Sequence, residues 1–344
     1  MTETLLEVKN LRVDFNTRGG VVPVLDDLTF SLGRGERIGF VGESGCGKSM
    51  TALALMGLLP ALGRIASGQI LFKGQDIAKA DESRMQDLRG NEISMIFQEP
   101  MTSLNPVFTI GNQIAEVLER HRGMGRDEAL TTAADLLDAV KIPDAKSRLG
   151  QYPHQMSGGQ RQRVMIAVAL ACEPEILIAD EPTTALDVTV QAEIFDLLLD
   201  IGARTDTAMI LITHDIGAVK QMAQRMLVMY AGRKVEEGTV EQIIRAPAHP
   251  YTKGLISCVP YIRTRAASVP ETLPEIDGIV PDITSFGQDH CLFAPRCDRL
   301  SQQCLDKKPG HHPAAKSAAK AAAKAAAKSA GHSVSCWHPH GGGK

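Results

Sequence analysis

Residues 42–49 read Gly42-Glu43-Ser44-Gly45-Cys46-Gly47-Lys48-Ser49 and fit the spacing GxxxxGK[ST] at every fixed position. Met50 carries the chain on into a stretch, 48–59, whose pattern predicts a helix, while 37–41 predicts a short buried strand. Strand, glycine loop and helix in that order make a phosphate cradle: glycines let backbone N–H groups close around the anion, and the helix N-terminus adds partial positive charge. Lys48 then suits the β- and γ-phosphates of a nucleoside triphosphate, and the Ser49 hydroxyl suits Mg²⁺. A second apolar run, 176–179, ends in Asp180-Glu181, and a third, 208–213, ends in His214-Asp215. Polar side chains at such strand ends face the ligand crevice of open α/β sheets. Asp180 suits a metal or metal-bound water there, and Glu181 suits a water that attacks the γ-phosphate. Ser157-Gly158-Gly159-Gln160 opens the helix-forming run 164–172 and offers a second anion-binding terminus, and Gln98 follows a strand-like segment, 92–97.

Sulfur chemistry is the other candidate. Cys46 lies beside Lys48 at a helix start, two features that predict a reactive thiolate. Cys291, Cys297, Cys304 and Cys336 form a C-x5-C-x6-C-x31-C series in a Pro-rich region with too few apolar residues for its own core. A small region of that kind calls for a staple, and in a reducing cytosol thiolate ligation of a metal serves better than disulfides. Four thiolates suit tetrahedral zinc or a 4Fe–4S cluster, and the spacing does not choose between them. His332 and His338 flank Cys336 and could replace one ligand, whereas Cys172 and Cys258 read as incidental.

The elements that must position these residues follow from patterning. Residues 1–246 alternate apolar strand-like runs with helical patterns, which predicts an α/β domain with a largely parallel sheet. From Pro247 onward the rhythm stops and prolines punctuate the chain, so 247–344 is expected as an irregular C-terminal appendage. Within it, 314–330 holds eleven Ala and four Lys spaced four apart, predicting a solvated, marginal helix that returns Cys336 to the other thiols.

The chain has 344 residues, 44% hydrophobic and 22% charged, enough for roughly two folded domains. Its net charge of -3 gives no basic footprint, so no nucleic-acid partner is expected. No apolar run approaches the ~20 residues needed to span a bilayer, and 1–10 lacks the features of a secretory signal, which predicts a cytosolic chain.

Taken together, the loop at 42–49, Gln98, the 156–163 segment Met-Ser-Gly-Gly-Gln-Arg-Gln-Arg, Asp180-Glu181, Ala185-Leu186-Asp187 and His214 resemble the ATP-binding cassette family over residues 1–246. The resemblance implies a P-loop NTPase cassette: a RecA-like core with a β subdomain and an inserted helical subdomain at about 99–172. It also implies that two cassettes sandwich two ATP molecules. Each ATP then lies between one phosphate loop and the Ser157, Gly158, Gly159 and Gln160 turn of the other cassette, with Asp187 at the seam. Lys48 and Ser49 then hold phosphates and Mg²⁺, Gln98 senses metal and water, Asp180 supports the metal, Glu181 is the catalytic carboxylate and His214 contacts the γ-phosphate. The aromatic that stacks on adenine is expected about 25 residues before Lys48; that place is near Pro23, with Phe15 as a substitute. Three stretches resemble the dipeptide and oligopeptide importer branch, which includes nickel importers: 98–106 (Gln-Glu-Pro-Met-Thr-Ser-Leu-Asn-Pro), 249–255 (His-Pro-Tyr-Thr-Lys-Gly-Leu) and 293–297 (Phe-Ala-Pro-Arg-Cys). That branch implies ATP-driven import at the cytoplasmic face of the inner membrane. Its partners are a second ATPase, a homologous sister or else a second copy of this chain, with two membrane permease subunits docked near 98–106 and an extracytoplasmic solute-binding protein. It also implies a 4Fe–4S cluster on the appendage cysteines, with zinc as the alternative. Soluble cassette proteins without a transporter would be expected to carry two cassettes or a coiled-coil insertion, and this chain has neither.

Overall fold

In the computed structural model, residues 3–99, 103–184, 186–259, 275–286, 288–314 and 331–341 are described. Pro100, Met101, Thr102 and Ala185 lie outside them, as does the Ala/Lys segment apart from Ala314. The chain opens with two long strands, β1 (Thr4–Thr17) and β2 (Gly20–Gly33), and then enters β3 (Arg37–Val41). β4 (Gly63–Phe72) and β5 (Gln75–Asp76) complete an antiparallel four-stranded sheet in the order β2-β1-β4-β5.

The second sheet carries the chemistry. β6 (Ile93–Ile96), β7 (Ile176–Asp180), β8 (Ala208–Ile212) and β9 (Arg225–Tyr230) run parallel with β3, and β10 (Arg233–Thr239) turns back antiparallel on β9. Two short strands of the appendage, β11 (His312–Pro313) and β12 (Ser333–Val334), extend it to the order β11-β12-β10-β9-β3-β8-β7-β6. The appendage therefore adds strands to the main sheet.

Continuous apolar runs are what a parallel sheet covered on both faces requires. Successive side chains go to opposite faces. Leu177 and Ala179 of β7 join one core cluster with the helices Ile110–Arg122, Arg126–Ala139 and Gly158–Leu170, while Ile176 and Ile178 join the other, with β1, β2 and β4. β8 divides the same way, Met209 and Leu211 against Ala208, Ile210 and Ile212. The three helices lie in sequence between β6 and β7. The buried Arg163 guanidinium ties them together by donating to the Val140 carbonyl, and it pairs with Glu193 on the next helix.

The helix expected at 48–59 spans Lys48–Leu55, because Gly57 turns left-handed (φ 61°) and Pro60 cannot continue the helix. No helix among the described residues is long and apolar enough to cross a membrane.

Candidate active site

Four loops leave the carboxyl ends of parallel strands side by side: 42–47 after β3, Gln98 after β6, Glu181 after β7 and His214 after β8. Strand order alone brings these distant residues together, at the sheet edge where open α/β folds bind ligands.

The glycines of 42–47 are required by contact. At Gly42 (φ 154°) a Cβ would stand 2.3 Å from the Met229 carbonyl oxygen, and at Gly47 (φ 101°) 2.7 Å from Leu25. Gly47 is the N-cap of Lys48–Leu55 and offers no side-chain cap, so the first-turn N–H groups stay available to an anion. Lys48 is buried and folds back over the loop, donating to the carbonyls of Gly42 (2.8 Å) and Glu43 (3.1 Å) and lying 3.6 Å from Cys46 Sγ. Its charge is thus held inside the loop where a phosphate would bind.

Ser49 Oγ donates to Asp180 Oδ1 at 3.0 Å. Burial pushes the Asp180 carboxyl up to about 6, against that hydrogen bond, and the neighbouring Glu181 charge adds to the rise. A buried carboxylate touching a hydroxyl is an all-oxygen donor set, which fits Mg²⁺. The raised value has a stability consequence. Folded Asp180 holds its proton more tightly than the unfolded chain does, so its contribution is full below about pH 4 and is lost as pH rises through about 6. The ionised, buried form costs about 3 kcal/mol near neutrality. Asp180→Asn should therefore raise the melting temperature of the nucleotide-free chain at about pH 7.5, and by roughly half as much at about pH 5. Equal shifts at both pH values would contradict this.

Glu181 is held from three directions. Its Oε2 accepts from Gln98 Nε2 (3.1 Å) and Thr184 Oγ1 (2.9 Å), and its Oε1 lies 3.2 Å from His214 Nδ1. Its backbone is left-handed (φ 46°), pinned by its N–H to the Ile212 carbonyl (2.8 Å). A non-glycine residue in that conformation costs on the order of 1 kcal/mol, strain of a kind that gathers at functional sites. Burial would raise the Glu181 carboxyl, but His214 and Thr184 outweigh it and hold it below the usual range, so it is an anion at neutral pH. A fixed carboxylate, next to a lysine and a metal-type oxygen pair, can orient or deprotonate a water against a phosphate.

The profile of the ABC transporter family matches residues 25–184, and the profile of the oligopeptide/dipeptide transporter C-terminal region matches 235–304. The dipeptide transport ATP-binding protein DppD of Bacillus subtilis (strain 168) is 47% identical over 336 residues, 97% of this chain and 95% of that protein. The chain belongs to the ABC transporter family. The oligopeptide transport ATP-binding protein OppD of Haemophilus influenzae is 50% identical over 300 residues, 87% of this chain and 91% of that one. Among solved structures, a post-hydrolysis dimer of the ATP-binding cassette MJ0796 bound to ADP and Pi matches with a TM-score of 0.62 at 26% identity, covering 68% of this chain and 98% of that one. The cassette cbiO1 from Clostridium perfringens matches with 0.59 at 26% identity, covering 71% and 91%. As an ABC cassette this chain is an ATPase, and ATP with Mg²⁺ is its expected ligand pair.

Other expected site residues of this ABC ATPase stand apart from the loop. Ser157 caps the helix Gly158–Leu170 by accepting from Gln160 N–H (3.3 Å), and Gln160 Oε1 accepts from Ser157 N–H (3.0 Å). That capping box satisfies N–H groups expected for an anion and leaves Gly158 exposed. Asp187 likewise caps Val188–Thr205 through Val190 N–H (3.0 Å). Met50 packs half-buried against the core, and Phe15 is half-buried near the end of β1.

One sulfur expectation is corrected, and the other gains no metal site. Cys46 is 1% exposed, and burial pushes its thiol up despite Lys48, so it is a buried thiol and not a reactive thiolate. Maleimide applied to the native chain should leave Cys46 unlabelled in peptide mass mapping and label it only after denaturation. Labelling of Cys46 in the native chain would refute its burial. The four appendage cysteines are free thiols, and Cys336, pushed up to about 12 chiefly by burial, lies within electrostatic reach of Cys291, Cys297 and Cys304. Yet among the described residues no group of three or more His, Cys, Asp or Glu is arranged to hold a metal ion. Cys297 Sγ accepts from Arg299 N–H (3.4 Å) and Cys336 Sγ from His338 N–H (3.3 Å), while His338 and His332 turn to Ser301 and Glu236 instead.

The structure adds residues that motif spacing missed. Thr184 lies on Glu181, and Cys258, at the end of the helix Pro250–Ser257, lines one cleft with Glu181 and His214. Tyr251 Oη accepts Glu43 N–H (2.8 Å), and Arg296 grips the Glu43 carboxylate with both terminal nitrogens (2.8 and 3.0 Å). Both belong to stretches singled out in the sequence, at 249–255 and 293–297.

Proposed function

We propose that this chain is the ATP-hydrolysing subunit of an importer for dipeptides or oligopeptides, working peripherally at the cytoplasmic face of the membrane. The observation that carries the ATPase chemistry is the Glu181 carboxylate, held by Gln98, Thr184 and His214 beside the Ser49–Asp180 pair. The names of its DppD and OppD relatives support a peptide as cargo. A different solute such as nickel is the alternative within the same branch.

In this reading residues 1–246 are the cassette, with its helical subdomain at about 99–172, and 247–344 are the appendage. The loop residues Gly42, Glu43, Ser44, Gly45, Cys46, Gly47, Lys48 and Ser49, with Met50 behind them, wrap the triphosphate. Ser49, Asp180 and Gln98 would hold Mg²⁺, which neutralises phosphate charge when bound. Glu181 orients and polarises the water, and His214 moves from Glu181 to the γ-phosphate. The turn Ser157, Gly158, Gly159 and Gln160 of a sister cassette closes over the nucleotide across Asp187. Two permease subunits dock beside 98–106, where Val107 and Phe108 are exposed apolar residues, and an extracytoplasmic binding protein delivers the cargo. Co-purification from the native membrane tests this: a second ATPase and two permeases should accompany the chain, and peptide-loaded binding protein should stimulate hydrolysis. Recovery of the chain without membrane subunits would defeat it.

A 4Fe–4S cluster on Cys291, Cys297, Cys304 and Cys336, or zinc in its place, is supported by the mutual reach of four free thiols. Anaerobically purified chain should be brown with absorption near about 400 nm. Colourless protein holding zinc would reject the cluster, and protein with neither would reject the metal.

A further inference from the structure

The phosphate loop carries an acid, Glu43, where any carboxylate would oppose a triphosphate. The structure places a cation against its carboxylate: the Arg296 side chain, 3% exposed, forks onto both Glu43 oxygens from a segment 253 residues further along the chain. Arg296 is itself fixed. Its Nε donates to the Asp277 carbonyl (2.8 Å), Nη2 to the Ile276 carbonyl (3.1 Å), and its guanidinium lies over the rings of Tyr230 and Phe293. Phe293 packs in turn on Tyr251, whose hydroxyl accepts the Glu43 N–H, while the Glu43 carbonyl accepts from Lys48. The appendage thus holds Glu43 by side chain and backbone, one residue from the loop's first glycine.

We propose that Arg296 is a positioning residue of the ATP site: by neutralising Glu43 and fixing its place, it keeps the mouth of the phosphate loop open to a polyanion. The proposal rests on the reading of residues 42–49 as the ATP loop. Its physical content is charge. Without Arg296 an unpaired carboxylate faces the phosphates at partly buried range, where unit charges several ångströms apart interact by more than thermal energy. The fork also sets geometry, since a bidentate guanidinium fixes the carboxylate plane as a lysine cannot. Nucleotide affinity therefore depends on the folded appendage, through the residue that precedes Cys297.

The test titrates the full-length chain with a fluorescent ATP, mant-ATP with Mg²⁺, so hydrolysis and partner subunits are not needed. Arg296→Met should weaken binding about tenfold at low salt and by less at about 0.5 M salt, because repulsion is screened. In a Glu43→Gln background the same substitution should change affinity less than about twofold, because no carboxylate remains to be released. Arg296→Lys, which keeps the charge and stem without the fork, should fall between wild type and Arg296→Met. An equal, salt-independent loss in both backgrounds would mean that Arg296 acts only through appendage packing and would overturn the proposal. Unchanged affinity in Arg296→Met and Arg296→Lys would overturn it as well. Lys48→Ala separates the two readings: if it binds mant-ATP like wild type, the ATP-loop assignment fails. If it loses binding while Arg296→Met does not, only the role of Arg296 fails.

Discussion

Glu181→Gln should lower ATP hydrolysis by two to three orders of magnitude while ATP still binds. The carboxylate is an anion at neutral pH, and three donors, Gln98, Thr184 and His214, face it. Glutamine is isosteric and retains one carbonyl oxygen for those donors, so the loop between β7 and the Val188–Thr205 helix need not move. What is lost is the negative charge that orients and polarises water in the transition state, worth about 3–4 kcal/mol at a 100- to 1000-fold effect. ATP binding uses the 42–49 loop, which the substitution leaves intact, so the nucleotide should persist and trap paired cassettes. Single-turnover hydrolysis, with size-exclusion chromatography in ATP, reads both arms. Hydrolysis within a few-fold of wild type would remove Glu181 from the chemistry and leave the Gln98–His214 arrangement without its purpose.

Lys48→Ala should abolish measurable nucleotide binding at concentrations that saturate wild type, a loss of at least about 100-fold. Lys48 is buried within a curl of backbone, and its ammonium donates to the carbonyls of Gly42 and Glu43 and lies beside Cys46 Sγ. Those bonds hold the loop in the bent form that leaves N–H groups pointing inward. Removing the side chain takes away the charge that meets the β- and γ-phosphates. It also leaves two carbonyls short of a donor, so stability should fall too, by about 1–3 kcal/mol. Calorimetric titration with ATP and Mg²⁺, alongside thermal unfolding, distinguishes the two effects. Retained affinity with lowered stability would mean that Lys48 serves the fold and not the ligand.

The contrast between the two sites shows why some of this was legible in the sequence. The phosphate loop is local: its glycines, lysine and serine act within eight residues, and the backbone they demand is written in their types, as Gly42 and Gly47 show. The strand ends at Asp180, Glu181 and His214 were legible for a different reason. Runs such as Ile176–Asp180 and Ala208–Ile212 are apolar throughout because both faces of a parallel sheet are covered, and a polar break then marks the ligand edge. The antiparallel sheet of β1, β2 and β4 was harder to read, because register shifts near Val8–Leu11 and Leu11–Val13 interrupt the two-residue alternation that signals a half-buried strand. The reactivity expected of Cys46 failed because sequence proximity to Lys48 does not report burial, and burial dominates the thiol.

Sequence by itself therefore determined the chemistry available to this protein: a phosphate-binding loop, a carboxylate for water, an oxygen pair for a divalent cation, and membership of the ABC transporter family. Tertiary structure alone decided which groups meet. Arg296 and Glu43 are 253 positions apart, and they meet beside Phe293, which packs against Tyr230 and Tyr251. Local propensities carry no term for such contacts, whose loop-closure cost is offset only once the core around them is buried. The same holds for the thiols, where four cysteines and their spacing were plain in the sequence. Which partners they take was decided only in the folded chain, where Cys297 and Cys336 accept from backbone N–H groups and His338 turns to Ser301.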